Sequence, residues 1–132
     1  MSTLQELEAL LGDPSTPHHR RIYACQELLR LGTSGAIALL GRVLSGDPDS
    51  VVRHEAAFVL GELADPAGVP ALAEAMRRDP SDLVRHESAE ALGWIATPES
   101  AAALKEALRD RSPEVVRTAE ISLAMHREPR AR

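Results

Sequence analysis

The sequence predicts an all-α solenoid of stacked helical hairpins, and three observations carry that prediction. The first is an ungapped internal match. Val51 to Asp82 reads VVRHEAAFVLGELADPAGVPALAEAMRRDPSD, and Leu83 to Glu114 reads LVRHESAEALGWIATPESAAALKEALRDRSPE, at an offset of 83 − 51 = 32 residues. A fixed period of this length marks a repeat architecture, in which each unit buries its apolar stripe only against its neighbours. The second is composition: Ala and Leu dominate, both strong helix formers, and the chain has only one Trp, one Tyr and one Phe. The third is apolar spacing. Val52, Ala56, Val59, Leu60 and Leu63 fall on one stripe of a helix.

The elements follow in order. A leading capping helix covers about residues 3–12, with Leu4 to Leu11 as its apolar run. The first unit, about residues 19–50, keeps Arg21, Ala24, Leu28 and Leu31 in register, and its Gly35 to Leu40 aligns with Ala67 to Leu72. His18-His19 before it reads as an exposed loop pair. The second unit, residues 51–82, opens with a helix from about Val51 to Ala64. Asp65 then serves as N-cap and Pro66 as first helical residue of a second helix carrying Val69, Leu72, Ala75 and Met76. The third unit, residues 83–114, repeats this pattern with Thr97-Pro98 at the same junction. Val115-Val116-Arg117 begins a fourth unit, about residues 115–128, whose helix runs from about Glu114 to His126. The count is eight helices in four hairpins. The tetratricopeptide and ankyrin signatures are absent, so the units are HEAT-like.

Charge and cysteine use narrow the function. The net charge of −5 argues against a nucleic-acid partner, and the tail at Arg127, Arg130 and Arg132 is too short to change that. No apolar run approaches membrane-spanning length, and the N-terminus lacks the pattern of a signal peptide, so the expected location is cytoplasmic. The single cysteine, Cys25, lies among apolar helix positions and is expected to be buried. Arg21, Arg53, Arg85 and Arg117 recur once per unit and are expected to pair with loop acids such as Asp49 and Asp82. Trp94 is expected to pack, with an interface as one place for it.

The chemistry lies at His54-Glu55 and His86-Glu87. With Val52 at zero and about 100° per residue, His54 falls near ~200°, beside Ala57 and Gly61 and away from the core stripe. His86 has the matching neighbours Ala89 and Gly93. A face cleared by small residues can admit a ligand, a metal or another subunit. Neighbouring first helices lie about 10 Å apart, so two histidines at one register position can converge on one ion. A His and the Glu directly after it diverge by about 100°, so the economical site has two His and one Glu, an open arrangement suited to iron. The outer units carry Ile22-Tyr23 and Thr118-Ala119 instead. No phosphate-binding Gly loop, Gly-x-Ser-x-Gly or paired-Cys pattern is present.

At Val52-Arg53-His54-Glu55-Ala56-Ala57 and Leu83-Val84-Arg85-His86-Glu87-Ser88-Ala89 the chain resembles deoxyhypusine hydroxylase, a HEAT-repeat di-iron monooxygenase. Members of that family have two such halves, four His-Glu motifs and two irons between the halves, and hydroxylate a deoxyhypusine side chain on a translation factor. The resemblance implies one half of that arrangement, with His54, His86 and Glu87 as ligands of one iron per chain. It places Glu55 near the substrate amine or just behind the metal, as the candidate catalytic residue. Trp94 departs from the small residue expected after Gly93, and Leu83 stands where Met is frequent. A homodimer would supply 2 × 2 = 4 motifs. The competing reading is a non-catalytic scaffold whose concave face holds a protein or peptide partner.

Overall fold

The computed structural model describes residues 2–127, with the side chain of Arg127 left aside. Arg130 and Arg132, of the basic tail, lie outside the described residues. Eight α-helices follow one another: α1 (Leu4–Gly12), α2 (His18–Leu31), α3 (Ser34–Gly46), α4 (Ser50–Leu63), α5 (Val69–Arg78), α6 (Asp82–Ile95), α7 (Pro98–Ala107) and α8 (Pro113–Arg127). The described residues contain no strand. No described helix is long and apolar enough to cross a membrane.

Two layers result. Helices α2, α4, α6 and α8 pack side by side in one, and α1, α3, α5 and α7 in the other. The core between them is aliphatic, and Leu28, Leu40, Leu60, Leu72, Leu92 and Leu104 are fully buried. Cys25 joins it, as the sequence predicts. Helix ends are set by local chemistry. Thr3 and Glu6 form a reciprocal capping box on α1, and Thr33, Asp49 and Thr97 accept backbone N–H groups at the starts of α3, α4 and α7. After α2, α4 and α6 the chain turns through a left-handed residue at the same register position: Gly32, Ala64 and Ala96.

Several expectations need correction. Asp65 does cap a helical turn, but that turn is a separate 3₁₀ segment, Pro66–Gly68, and α5 begins only at Val69. His18 and His19 are exposed as expected, yet they open α2 and do not lie in a loop. Arg21, Arg53 and Arg85 do pair with acids of the turns, as expected, but with other ones than Asp49 or Asp82. Arg21 binds Asp47 at 2.9 Å, Arg53 binds Asp79 at 2.9 and 3.2 Å, and Arg85 binds Asp110 at 3.0 and 3.3 Å. Each aspartate uses its other role in its own turn: Oδ1 of Asp13, Asp47, Asp79 and Asp110 accepts the N–H two residues on, at 2.9 Å each. Those turns place a carboxylate where the arginine of the preceding unit reaches it. Arg53 and Arg85 also donate to the backbone oxygens of Asp47 and Asp79 at 2.8 Å, so every rung ties three consecutive segments together.

The small residues beside the histidines also serve a purpose other than the one expected. Ala57, Gly61, Ala89 and Gly93 are buried, and they form the seam against the next helix of the layer. A Cβ on Gly61 would stand 2.9 Å from Ala91 Cβ, and one on Gly93 would stand 2.6 Å from Ser122 Oγ. They admit a helix of the same chain, and the resulting close approach of α4, α6 and α8 is what brings the motif side chains within reach of one another.

Candidate functional site

His54 lies on α4 and Glu87 on α6, each in the middle of a stretch fixed by buried neighbours: Val52 and Ala56 on α4, Val84, Ser88 and Ala89 on α6. Across the tight α4–α6 seam, His54 Nε2 stands 2.9 Å from Glu87 Oε1. The side chain of Glu87 is 13% exposed and that of His54 39%, so the pair sits at the mouth of the seam. The hydrogen bond to Glu87 raises the His54 pKa above its ordinary value; partial burial opposes the rise, and the charges of Glu87, Glu55 and Glu90 add to it.

The pairing is diagonal. It joins a histidine to the glutamate 87 − 54 = 33 residues on, so each motif's Glu reaches back to the preceding helix of the layer. Applied to Glu55, the same step back gives Ile22, which cannot complement a carboxylate. Glu55 instead accepts a long 3.4 Å hydrogen bond from Gln26 Nε2 of α2. Applied to His86, the step forward gives Ala119. His86 lines an open cleft of about 280 Å³ between α6 and α8, together with Glu90, Trp94, Thr118, Ile121 and Met125. Two motifs therefore make one complete His–Glu pair and two half-pairs, a carboxylate facing α2 and an imidazole facing α8.

Of the four residues singled out by sequence, the structure brings His54 and Glu87 together. His86 and Glu55 border that pair on α6 and α4 without touching it. Among the described residues, no group of three or more His, Cys, Asp or Glu side chains is gathered as a metal cage. The donor chemistry at the pair fits a cation. Two ligands each about 2.1 Å from a first-row ion and about at right angles stand roughly 3 Å apart, and an imidazole nitrogen and a carboxylate oxygen are at that separation here, held by a proton. His86, the other motif histidine of α6, faces the cleft toward α8 and not this pair.

Sequence reasoning missed the aromatic and aliphatic surround. Trp94 does not pack within the chain: it is 62% exposed, above the cleft beside Ile121 and Met125, and Phe58 of α4 is also exposed. The signal was available, because both occupy register positions that hold a glutamate in a neighbouring unit (Glu90 for Phe58, Glu62 for Trp94).

Comparison with known proteins adds three findings. A family model described as HEAT repeats matches residues 37–124. The chain is similar to deoxyhypusine hydroxylase of Saccharomyces cerevisiae, 41% identical over 71 residues, covering 54% of this chain and 22% of that protein. It is also similar to the enzyme of that name from Homo sapiens, 36% identical over 75 residues, covering 54% of this chain and 24% of that one. The solved structure of human deoxyhypusine hydroxylase in complex with glycerol superposes on 96% of this chain with a TM-score of 0.89 and 36% identity, and this chain covers 44% of it. The chain thus spans about half of the protein it superposes on.

Proposed function

The chain belongs to the HEAT-repeat family and is a half-length relative of the deoxyhypusine hydroxylases, and from that premise we propose that it holds iron at His54, His86 and Glu87 and acts as an O₂-dependent hydroxylase. The observation that carries the reading is the His54–Glu87 contact at 2.9 Å, which places a nitrogen and an oxygen donor from two repeats at one point. When bound, the iron supplies the activation of O₂. His54 and Glu87 would hold it in place of their shared proton, with His86, the other motif histidine of α6, as the further donor of a set of two imidazoles and one carboxylate. Glu55, with no histidine opposite it, keeps its carboxylate for an amine of the substrate or for a proton. Trp94, Ile121 and Met125 line the cleft beside His86 and give it an apolar wall.

One chain supplies two motifs, and a second copy supplies the other two of the di-iron arrangement. One iron per chain is the expected stoichiometry. The test is metal analysis with molecular mass after anaerobic loading with Fe(II), on the wild type and on His54→Ala, His86→Ala and Glu87→Gln. About one iron per chain in the wild type, lost in His54→Ala and Glu87→Gln, supports the reading. Wild-type protein that takes up no iron, or variants that take up as much, would sink it. Exposed Phe58, Trp94 and Tyr23 on the motif-bearing layer favour a second reading, a scaffold that docks a protein or peptide there; a metal-free protein that still loses a partner on Trp94→Ala is its signature.

A further inference from the structure

Among the described residues the first aspartate and the last arginine of the arginine–aspartate ladder have no ion-pair partner, and the two are opposite in charge. Each internal rung joins the arginine of one unit to the turn aspartate of the next: Arg21 to Asp47, Arg53 to Asp79, Arg85 to Asp110. Asp13 stands at the head of this series. Its turn matches the others, with Oδ1 accepting Ser15 N–H at 2.9 Å, and its backbone oxygen receives Arg21 as those of Asp47 and Asp79 receive Arg53 and Arg85. Yet among the described residues no cation pairs with its carboxylate. Arg117 stands at the tail. It is exposed and forms no ion pair or hydrogen bond among the described residues, whereas Arg85 at the same register position is buried with its full set of partners.

The helix seam is open at the same two edges. Tyr23 of α2 occupies the position of Glu55 and Glu87, the side from which each layer helix meets the one before it, and is 60% exposed. Ile121 and Met125 of α8 occupy the positions of Ala89 and Gly93, the side that receives the next helix, and are 57% and 47% exposed. The charge around the edges has matching sense. Residues 2–17 carry Glu6, Glu8 and Asp13 and no Lys or Arg, with Glu8 taken by Arg42 of α3 and exposed Arg20 following on α2. At the other edge Lys105, Arg109, Arg111 and Arg117 are exposed beside Glu114 and Glu120 of α8, while Glu106 and Asp110 are already taken by Arg77 and Arg85, which leaves this edge net positive.

We infer that a second copy of this chain docks head to tail on these edges, with Arg117 of one copy on Asp13 of the other and Ile121 and Met125 packed against Tyr23. The contact continues the internal ladder by one rung, so it uses an interface the fold already repeats three times. It is independent of whether the His-Glu site holds iron. If both ends of two copies pair, the assembly closes at two chains; if only one does, it extends as an open series.

The test is sedimentation velocity across a concentration series, at low and at high salt, with circular dichroism to check that each variant is folded. Arg117 makes no hydrogen bond or ion pair among the described residues, so Arg117→Asp leaves the fold intact; Asp13→Arg also removes the acceptor of Ser15 N–H, so its circular dichroism is compared with that of Asp13→Asn, which keeps the acceptor and removes only the charge. The wild type is expected to self-associate, more weakly at high salt. Asp13→Arg and Arg117→Asp, each alone, are expected to weaken association by roughly tenfold or more, because like charges then face each other. An equimolar mixture of the two variants, and the double variant, are expected to associate again. Wild type that stays monomeric throughout, a mixture that does not recover, or association unchanged by either reversal would overturn the inference. Association insensitive to both reversals but lost in Phe58→Glu would instead place the contact on the His-Glu face.

Discussion

Gly61→Ala tests whether the seam between α4 and α6 is what forms the site. The new Cβ would lie 2.9 Å from Ala91 Cβ and 3.1 Å from Ala91 Cα, neither of which can swing aside as the end of a long side chain can. Carbon atoms prefer about 3.5–4.0 Å, so the helices must separate by about 3.5 − 2.9 = 0.6 Å or distort locally. Overpacking of this kind costs about 1–3 kcal/mol, while replacing glycine by alanine inside a helix returns about 1 kcal/mol. Gly46 is the control. It is the last residue of α3, has nothing within 4 Å of an added Cβ, and gains about 0.5–1 kcal/mol on the same change. The two variants should therefore differ by about 1–3 kcal/mol, on the order of 5–10 °C in melting temperature for a domain of this size. Thermal denaturation followed by circular dichroism measures it. Separation of α4 from α6 also pulls His54 from Glu87, so Gly61→Ala should lose iron affinity and Gly46→Ala should keep it. A Gly61→Ala protein that melts at or above Gly46→Ala would refute the reasoning.

Three further outcomes are expected. Arg85→Leu leaves Asp110 without its guanidinium and Asp79 without a donor to its backbone oxygen in a nearly buried place; chemical denaturation should show a loss of about 3–5 kcal/mol, part of it recovered when Asp110→Asn is added. Ala64 holds φ at 53°, a left-handed conformation that suits glycine, so Ala64→Gly should raise stability by about 0.5–1 kcal/mol in the same assay, and a loss would count against the cap geometry. The Cys25 thiol is pushed up to about 12, first by burial and then by the charges of Glu55 and Asp47. Native protein should resist alkylation at pH 8 until unfolded. From about pH 9 upward the unfolded thiol ionises and the native one does not, so stability should fall by up to about 1.4 kcal/mol per pH unit, and less steeply in Cys25→Ala.

The repeat itself was legible in the sequence because stacking imposes one period on every unit. The 32-residue offset, the apolar stripe of Val52 to Leu63 and the Thr97-Pro98 junction fix an all-α solenoid of eight helices without further information. The candidate site was legible as a set of residue types, since His54-Glu55 and His86-Glu87 interrupt an otherwise ordinary surface. Their pairing was not. A helical wheel places residues around one helix, and it cannot say which neighbour a face meets or how far one helix slides along another. The slide puts His54 opposite Glu87, where equal register would have put it opposite His86. For the same reason Ala57 and Gly61 looked like an open face when they are the inside of a seam, and Arg53 found Asp79 where sequence proximity pointed to Asp49 or Asp82. Periodicity, being local and repeated, is written in the chain; the offset between neighbouring helices depends on how their surfaces interlock, and only the tertiary structure decided it.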